Sequence, residues 1–281
     1  MNDSNWFTER SDESGIGFSL KISAKLHQEQ TPYQNLEIFE TTQFGRLMTL
    51  DGLIMLTDRD NFVYHEMMTH TALFTHPRPK RVAVIGGGDC GSLREGLKHP
   101  DVEICEQIEL DERVTRASEQ YFPDLCTANN DPRARFHFDD GIEWIRNSAA
   151  GNYDVIIIDS TDPVGPAAGL FSDEFYANCH RALGDQGVLI AQSESPLIHT
   201  GLIRSMRKNL AKAGFSGLAT FCFPQCSYPS GWWSSTLASK QVSPADFRHA
   251  DAGNSDLKTS YYSADMHRAA MTLPPFVLRA L

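Results

Sequence analysis

Two carboxylates follow an apolar run in the middle of the chain. The run Val155-Ile156-Ile157-Ile158 has the composition of a buried strand, and Asp159 and Asp162 come directly after it. A buried strand needs neither acid for its stability, and Pro163 and Pro166 stiffen the backbone so that both acids can converge on one pocket. Paired carboxylates bind metals, exchange protons or hold cations. Because no histidine or third acid clusters with them in this segment, we expect no metal and favour the other two uses.

An alkyl amine would need both of these uses. An amine with a pKa near that of lysine, about 10.4, is protonated at neutral pH, and removing the proton at pH 7 costs roughly 4–5 kcal/mol. A carboxylate that first holds the ammonium and then accepts its proton would offset much of that cost. Turn formation and helix capping are the alternative roles for such acids. Tyr64 beside His65, and Tyr228 with Trp232 and Trp233, could wall a slot for methylene groups.

A glycine turn precedes these acids in the chain. Gly86, Gly87 and Gly88 follow an apolar strand, and the next helix is predicted to start near Leu93. Glycines permit a tight turn and close approach of a nucleotide to bare backbone, although such turns also simply connect strands to helices. Glu109 ends the next strand, 23 residues after Gly86, where it can accept hydrogen bonds from a ribose diol. Asp111 is better placed to cap the following helix, which leaves Glu109 free for the sugar.

Asp89 indicates which of several possible nucleotide ligands such a turn could bind. A carboxylate within the turn would repel the pyrophosphate of a dinucleotide and the methionyl carboxylate of S-adenosylmethionine. Decarboxylated S-adenosylmethionine ends instead in a bare ammonium, which Asp89 would attract. The third strand then ends at Asp139-Asp140-Gly141, where an acid can bind the adenine amino group and glycine gives backbone access. Capping of the next helix is the alternative for these two acids.

These residues require a scaffold that brings strand ends together. Residues 15 to 61 alternate apolar and polar positions between turn signals, which predicts a small antiparallel β unit, and residues 61 to 75 have a helical period. After Pro79, short apolar strands alternate with helical segments, as in an open and mostly parallel sheet whose ligands bind beyond the carboxyl ends of the strands. We predict an N-terminal β-strand domain over residues 1–62 and a catalytic α/β domain over residues 63–281.

Composition excludes several classes of function. The chain has 281 residues, of which 41% are hydrophobic, and a net charge of −11, which argues against nucleic acid and is compatible with a cationic substrate. No apolar run has the roughly 18 residues of a membrane helix. The polar, acidic N-terminus lacks the order of a signal peptide, and the six scattered cysteines suggest neither disulfides nor zinc. We therefore expect a cytoplasmic location and no membrane partner.

The assembled residues resemble the polyamine aminopropyltransferases, most of all the bacterial spermidine synthases. The resemblance covers nearly the whole chain and rests on "YQNLEIFE", "FVYHEMMTH", "VAVIGGGDCGSLRE", "IELDERV", "DVIIIDSTDPVGPAAGLFSDEFY", "VLIAQSES" and "YYSADMHRAAMTLPPFV". It implies a Rossmann-like doubly wound sheet of the S-adenosylmethionine-methyltransferase type. It also implies transfer of an aminopropyl group from decarboxylated S-adenosylmethionine to putrescine, which gives spermidine and 5'-methylthioadenosine. The donor would be a co-substrate, so no cofactor is expected, and a homodimer is the expected assembly.

The resemblance also implies roles for individual residues. Asp159 would accept the proton of the attacking amine, and Tyr64 and Tyr228 would orient that amine. Gly86, Gly87 and Gly88 would form the nucleotide turn. The thioadenosine part would contact Gln34, Glu109, Asp140, Gly141 and Pro166, while His65, Asp89, Asp159 and Asp162 would line the aminopropyl and polyamine pocket, with Gln192 in the matching strand-end segment.

Five positions depart from the usual pattern of the family. Cys90 replaces a small residue and could narrow the turn or bring a thiol near the sulfonium. Asn61 replaces an acid, Cys226 replaces threonine, and Trp232 and Trp233 are unusual, which leaves the shape of the amine pocket open. Other acceptors (cadaverine, agmatine or spermidine), an amine N-methyltransferase on the same fold, and a catalytically silent polyamine-binding protein are the alternatives.

Overall fold

The computed structural model describes residues 5–12, 14–162 and 165–281, with the backbone alone at residues 165 and 166. The strands are β1 Trp6–Ser11, β2 Ile16–Gln30, β3 Asn35–Thr41, β4 Arg46–Leu50, β5 Leu53–Thr57, β6 Arg81–Gly86, β7 Ile104–Glu109, β8 Ala134–Phe138, β9 Tyr153–Asp159, β10 Leu183–Gln192, β11 Gly217–Pro224 and β12 Trp232–Ser239. The α-helices are α1 Asn61–Thr75, α2 Gly91–Leu97, α3 Glu112–Tyr121, α4 Gly141–Asn147, α5 Asp173–Ala182, α6 Thr200–Lys212, α7 His249–Gly253, α8 Ala264–Ala270 and α9 Pro275–Ala280, with 3₁₀ turns at Gly165–Phe171 and Pro244–Asp246.

The first five strands form an antiparallel sheet in the order β1-β2-β3-β4-β5. Asp51 and Gly52 join β4 to β5 with φ angles of 51° and 81°, the left-handed pair that a two-residue hairpin requires. One face of the sheet is apolar and packs Leu36 and Met48 against Val114 of α3. This packing holds the N-terminal sheet over the region where α3 begins.

The remaining seven strands form a mixed sheet in the order β11-β12-β10-β9-β6-β7-β8, which confirms the predicted α/β fold. Strands β6 to β10 are parallel, and β12 runs antiparallel to β10. The chain proceeds from β6 outward to β7, whereas β9 lies on the other side of β6, so the crossovers diverge between β6 and β9. Open sheets bind ligands at such a divergence.

Helix α1 connects the two sheets and is buried along nearly its whole length, from Val63 to Thr75. It packs on α2 and on the strands β9 and β10. Polar residues on a buried helix need partners inside the protein, and α1 carries Tyr64 and His65 toward the strand ends. No helix in the described part of the chain is long and apolar enough to cross a membrane.

The ends of β6 and β9 are in direct backbone contact. Gly86 and Gly87 have φ angles of 82° and 64°, and Gly87 N donates a hydrogen bond to Asp159 O at 2.8 Å. A Cβ atom on Gly86 would lie 2.2 Å from that carbonyl oxygen, so only glycine fits. Cys90 follows in the left-handed region with φ of 71°, a conformation that glycine adopts with less strain.

Candidate active site

A cavity of about 480 Å³ opens at the carboxyl ends of β6, β7 and β9. The N-terminal sheet covers one side of this cavity with Met48, Leu53 and Met55. The predicted site residues that line it are Gln34, Tyr64, Gly86, Gly87, Gly88, Asp89, Glu109, Asp140, Gly141, Asp159 and Tyr228. The cavity therefore joins residues from both sheets and from α1.

Asp159 has both carboxylate oxygens held by hydroxyl groups. Tyr64 Oη donates to Oδ1 at 2.7 Å, and Ser92 Oγ donates to Oδ2 at 2.6 Å. Burial and the nearby charge of Asp89 raise the pKa of Asp159, whereas the positive charge of His65 and the two hydroxyl donors lower it, and the net shift is upward. A carboxylate with a raised pKa and a fixed orientation is suited to accept a proton.

Asp89 is paired with His65 from α1. His65 Nε2 lies 3.1 Å from Asp89 Oδ2, and Gly91 N donates to Oδ1 at 2.6 Å. Burial raises the pKa of Asp89, but His65 and the Gly91 amide lower it more, so the net shift is downward. Burial lowers the pKa of His65, but Asp89 and Asp159 raise it more. Both shifts favour an imidazolium paired with a carboxylate.

His65 itself lies behind Asp89. Its side chain is 2% exposed and is not among the described residues that line the cavity. The prediction that His65 lines the pocket does not match this placement, because the ring packs against the backbone of Gly91, where a Cβ would lie 2.2 Å from it. In this geometry His65 can act on a ligand only through Asp89.

Glu109 faces the glycine turn from the end of β7. Its carboxylate accepts a hydrogen bond from Asp111 N at 2.9 Å, and a Cβ on Gly88 would lie 2.9 Å from Oε2. Burial raises the pKa of Glu109 to about 7 despite the Asp111 amide. Asp111 caps α3 by accepting from Arg113 N at 3.1 Å, as predicted. Glu109 is thus left with acceptor capacity that faces the cavity.

Gln34 and Asp140 line the cavity, and each also makes a hydrogen bond to another residue of the protein. Gln34 Nε2 donates to Asp111 Oδ2 at 3.0 Å, which fixes the amide at the rim. Asp140 Oδ1 caps α4 by accepting from Ile142 N at 2.8 Å, which is the alternative role that the sequence offers for this acid. Gly141 and Ile142 follow on the cavity wall. Of Pro166 the structure describes the backbone only, and Pro163 lies outside the described residues.

A smaller cavity of about 40 Å³ adjoins the first and shares Tyr64, Thr161 and Tyr228 with it. Asp162 and Gln192 lie here rather than on the main cavity. Burial raises the pKa of Asp162 to about 7, and the charges of Glu194 and Glu9 add to this effect. A cation bound in this chamber would reverse the shift and leave Asp162 ionised.

Of the residues that depart from the family pattern, Trp233 lines one of the two cavities, whereas Trp232 and Cys90 line neither as described. Trp233 lines the small chamber, and its buried Nε1 has no hydrogen-bond partner among the described residues. Trp232 faces the other way and contacts Phe276. Cys90 is buried, with Sγ 3.7 Å from Gly88 O, and is not part of either cavity lining as described. Cys90 turns into the core, so its placement does not favour the possibility that its thiol lies near a bound sulfonium.

Three acidic or hydroxyl residues of the site were not predicted from the sequence. Ser92 binds Asp159, and Glu9 enters the small chamber from β1, where it accepts from Ile54 N at 2.7 Å. Glu194 pairs with His199 at 2.5 Å and has a φ of 57°. Two features of the sequence could have identified the first two of these residues. Ser92 is a hydroxyl residue near the start of the helix that follows the glycine turn, and Glu9 is an acid on the apolar face of a strand. In the described part of the chain, no group of three or more His, Cys, Asp or Glu side chains could hold a metal ion.

Two family models match the chain. The "Spermine/spermidine synthase domain" matches residues 61–248, and the "Spermidine synthase tetramerisation domain" matches residues 5–58. The polyamine aminopropyltransferase of Nitrosococcus oceani is 57% identical over 97% of this chain and 95% of its own length. That of Methylococcus capsulatus is also 57% identical, over 98% of this chain and 96% of its own length.

Solved structures agree with these relatives. A spermidine synthase in complex with the transition-state analogue AdoDATO superposes with a TM-score of 0.95 at 36% identity, covering 100% of this chain and 96% of that one. The spermidine synthase of Thermotoga maritima superposes with a TM-score of 0.93 at 37% identity, covering 98% of this chain and 94% of that one. The chain therefore belongs to the spermine/spermidine synthase family, and it is an aminopropyltransferase of the spermidine synthase type.

Proposed function

We propose that the enzyme transfers the aminopropyl group of decarboxylated S-adenosylmethionine to putrescine, giving spermidine and 5'-methylthioadenosine. The observation that carries the proposal is that Asp89, in the turn after β6, and Asp159, at the end of β9, line one cavity, which adjoins an acid-lined chamber. One acid can hold the ammonium of the donor while the other receives the proton of the acceptor. The donor is a co-substrate, so the proposal includes no cofactor.

The donor would lie along the main cavity. Glu109 would accept hydrogen bonds from the ribose diol, and the bare turn Gly86 to Gly88 would allow the nucleoside to approach. The adenine would lie beside Asp140 and Gly141, with Gln34 at the rim and Pro166 on the same side. Asp89, kept ionised by His65, would bind the ammonium of the aminopropyl group.

The acceptor would extend from Asp159 into the small chamber. Tyr64 and Tyr228 flank this route, and their rings approach at 6.0 Å between centroids. Asp162 and Glu9 would hold the far ammonium, with Gln192 beside them. A chamber of about 40 Å³ has room for about three water-sized groups. That volume fits the end of a short diamine and favours putrescine over spermidine.

The chemical step is an in-line displacement. A new nitrogen–carbon bond forms as the carbon–sulfur bond breaks, the sulfonium leaves as the neutral thioether of methylthioadenosine, and Asp159 takes the proton from the attacking nitrogen. The sulfonium is already a good leaving group. Most of the rate acceleration would therefore come from alignment of nitrogen, carbon and sulfur and from proton removal.

A competition assay tests the proposal. The purified enzyme is given decarboxylated S-adenosylmethionine with putrescine, cadaverine, spermidine and agmatine, and methylthioadenosine and each product are measured. We expect putrescine to be the preferred acceptor and intact S-adenosylmethionine to be a poor donor. Asp159→Asn should lower kcat about 100-fold or more while the donor still binds. A near wild-type rate for this variant would overturn the role of Asp159, and preference for another amine would overturn the acceptor.

We also propose a homodimer in which the N-terminal sheet takes part. The family model that matches this sheet is described as a tetramerisation domain, and Trp6 and Leu26 on its strands are 45% and 39% exposed. Light scattering coupled to chromatography measures the assembly, and Trp6→Ser should weaken it. The cytoplasmic location stays a prediction from the sequence.

A further inference from the structure

Helices α1 and α2 are joined by two pairs of an imidazole and a carboxylate. The first pair is His65 with Asp89, at the start of α2. The second lies five residues further along the chain from His65 and six from Asp89, about one and a half helical turns, where His70 Nε2 is 3.0 Å from Glu95 Oε2. His70 and Glu95 are both completely buried. The second pair lies outside both cavities of the candidate active site, and the proposed reaction assigns it no role.

Glu95 is a buried carboxylate with three cationic or imidazole partners. Arg94 Nη2 lies 2.9 Å from one oxygen, and Lys98 Nζ lies 2.6 Å from the other, which His70 also contacts. Burial alone would raise the pKa of Glu95, but His70, Lys98 and Arg94 lower it to about 2. The carboxylate is therefore ionised throughout the working range of the enzyme, and its loss would leave the partly buried Arg94 and Lys98 without a counter-charge.

The hydrogen-bond chain continues from His70 to a third group. His70 Nδ1 lies 2.9 Å from His99 Nε2. An ionised Glu95 can only accept, so His70 must donate to it from Nε2. Burial lowers the pKa of His99 to about 2, so His99 is neutral. The three side chains thus form one continuous hydrogen-bonded row between α1 and the end of α2.

Helix α2 is short enough that its two ends cannot move independently. It has seven residues, roughly two turns. Its first turn carries the Gly91 amide that binds Asp89 and the Ser92 hydroxyl that binds Asp159. A shift at Glu95 would therefore be transmitted to both acids of the reaction centre.

We propose that Glu95, held by His70, is a positioning residue that fixes α2 on α1 and so places Asp89 for the ammonium of the aminopropyl donor. Arg94 and Lys98 also line a separate polar cavity of about 580 Å³ beside α1 and α2. Without Glu95, these two cations would turn toward that water-accessible space and draw the helix with them. The inference rests on the proposed role of Asp89 and adds the residues that orient it.

Calorimetric titration with two ligands tests this inference. Decarboxylated S-adenosylmethionine carries the ammonium that Asp89 would hold, whereas methylthioadenosine has the same nucleoside without it. We expect Glu95→Gln to weaken donor binding about tenfold and to change methylthioadenosine binding less than twofold. Glu66→Gln is the matched control, because Glu66 is also buried on α1 but binds the backbone amides of residues 260–262. This variant should lower Tm without changing either affinity.

A double-mutant cycle separates the possible outcomes. Asp89→Asn alone tests the proposed function, since unchanged donor binding in that variant would overturn the role of Asp89. If Asp89→Asn weakens donor binding and Glu95→Gln adds little to it, the inference is supported. It is overturned if the two effects multiply in full, or if Glu95→Gln weakens both ligands equally. Should Glu95→Gln fail to fold, His99→Gln removes only the outer imidazole and must still weaken donor binding selectively, by threefold or more.

Discussion

The phenol of Tyr64 donates a hydrogen bond to Oδ1 of Asp159 over 2.7 Å, although the two residues lie 95 positions apart in the chain. This bond stabilises the ionised form of Asp159, against the burial that raises its pKa. The proposed base therefore depends on a side chain from the helix that links the two sheets.

Tyr64→Phe should move the acid limb of the kcat/KM profile to higher pH. Loss of the donor raises the pKa of Asp159 further, so less of the base is ionised at pH 7 and activity falls. A hydrogen bond to a charged group is worth about 1.5–3 kcal/mol, which corresponds to a shift of the acid limb by about one to two pH units, so the loss of activity is larger at low pH than at pH 9. Tyr228→Phe is the control, because Tyr228 Oη donates to Met55 O at 2.6 Å. Equal pH profiles for the two variants would contradict the prediction.

Asp162→Asn should stabilise the free enzyme and weaken acceptor binding. The pKa of Asp162 is about 7 in the folded chain and about 3.8 as a model value. Between these values the unfolded chain releases the proton first, so stability falls as pH rises, and the full penalty is present above pH 7. The variant removes this penalty, which is on the order of a few kcal/mol.

Thermal unfolding measures the expected gain in stability of Asp162→Asn, and steady-state kinetics measure its expected loss of acceptor binding. The gain in Tm should be larger at pH 8 than at pH 5, and KM for putrescine should rise about tenfold. Asp173→Asn alters an acid whose side chain is 45% exposed and should change neither quantity. A variant less stable at pH 8 than the wild type would refute the assignment.

Trp233→Leu should let longer amines enter. Trp233 lines the small chamber together with Leu53 and Pro229, and a smaller side chain would extend it. We expect the ratio of kcat/KM for spermidine to that for putrescine to rise tenfold or more. Trp232→Leu changes the neighbouring indole, which packs on Phe276 instead, and should leave the ratio unchanged. An unchanged ratio in both variants would show that another part of the chain limits acceptor length.

Gly91→Ala should weaken donor binding and lower stability. The added Cβ would lie 2.2–2.5 Å from ring atoms of His65, so the imidazole would be pushed away from Asp89. Gly201 also lies in the first turn of a helix, but a Cβ there would meet no atom within 4 Å. Gly201→Ala should therefore be neutral or stabilising by about 0.4–1 kcal/mol. Donor affinity by titration and Tm distinguish the two variants.

The parallel sheet and its strand ends could be predicted because buried strands have a continuous apolar pattern. Asp159 and Glu109 were found at strand ends in this way, and Asp111 was predicted as a cap from its position. The strands of the N-terminal sheet were predicted less accurately. Strand β1 was missed, and β2 is a single strand of 15 residues rather than a short one, because its largely exposed second half has no apolar alternation to mark it.

The contacts between distant segments could not be predicted. Glu9 enters the small chamber only because β1 pairs with β2 and so reaches the edge of the site. The withdrawal of His65 behind Asp89 depends on the packing of α1 against Gly91, which no local pattern encodes. Cys90 was placed correctly in the turn, but its left-handed φ and inward thiol follow from the tertiary fold.

The chamber that receives the far end of the amine is built largely by the N-terminal sheet, the start of β12 and the turn before it, through Glu9, Leu53, Met55, Pro229 and Trp233. The acids that perform the transfer lie instead on the second sheet, where the Gly87 amide and the Asp159 carbonyl bind each other. Substitutions in the first sheet and in that turn could therefore change the preferred amine acceptor during evolution. The residues that carry out the transfer would stay the same.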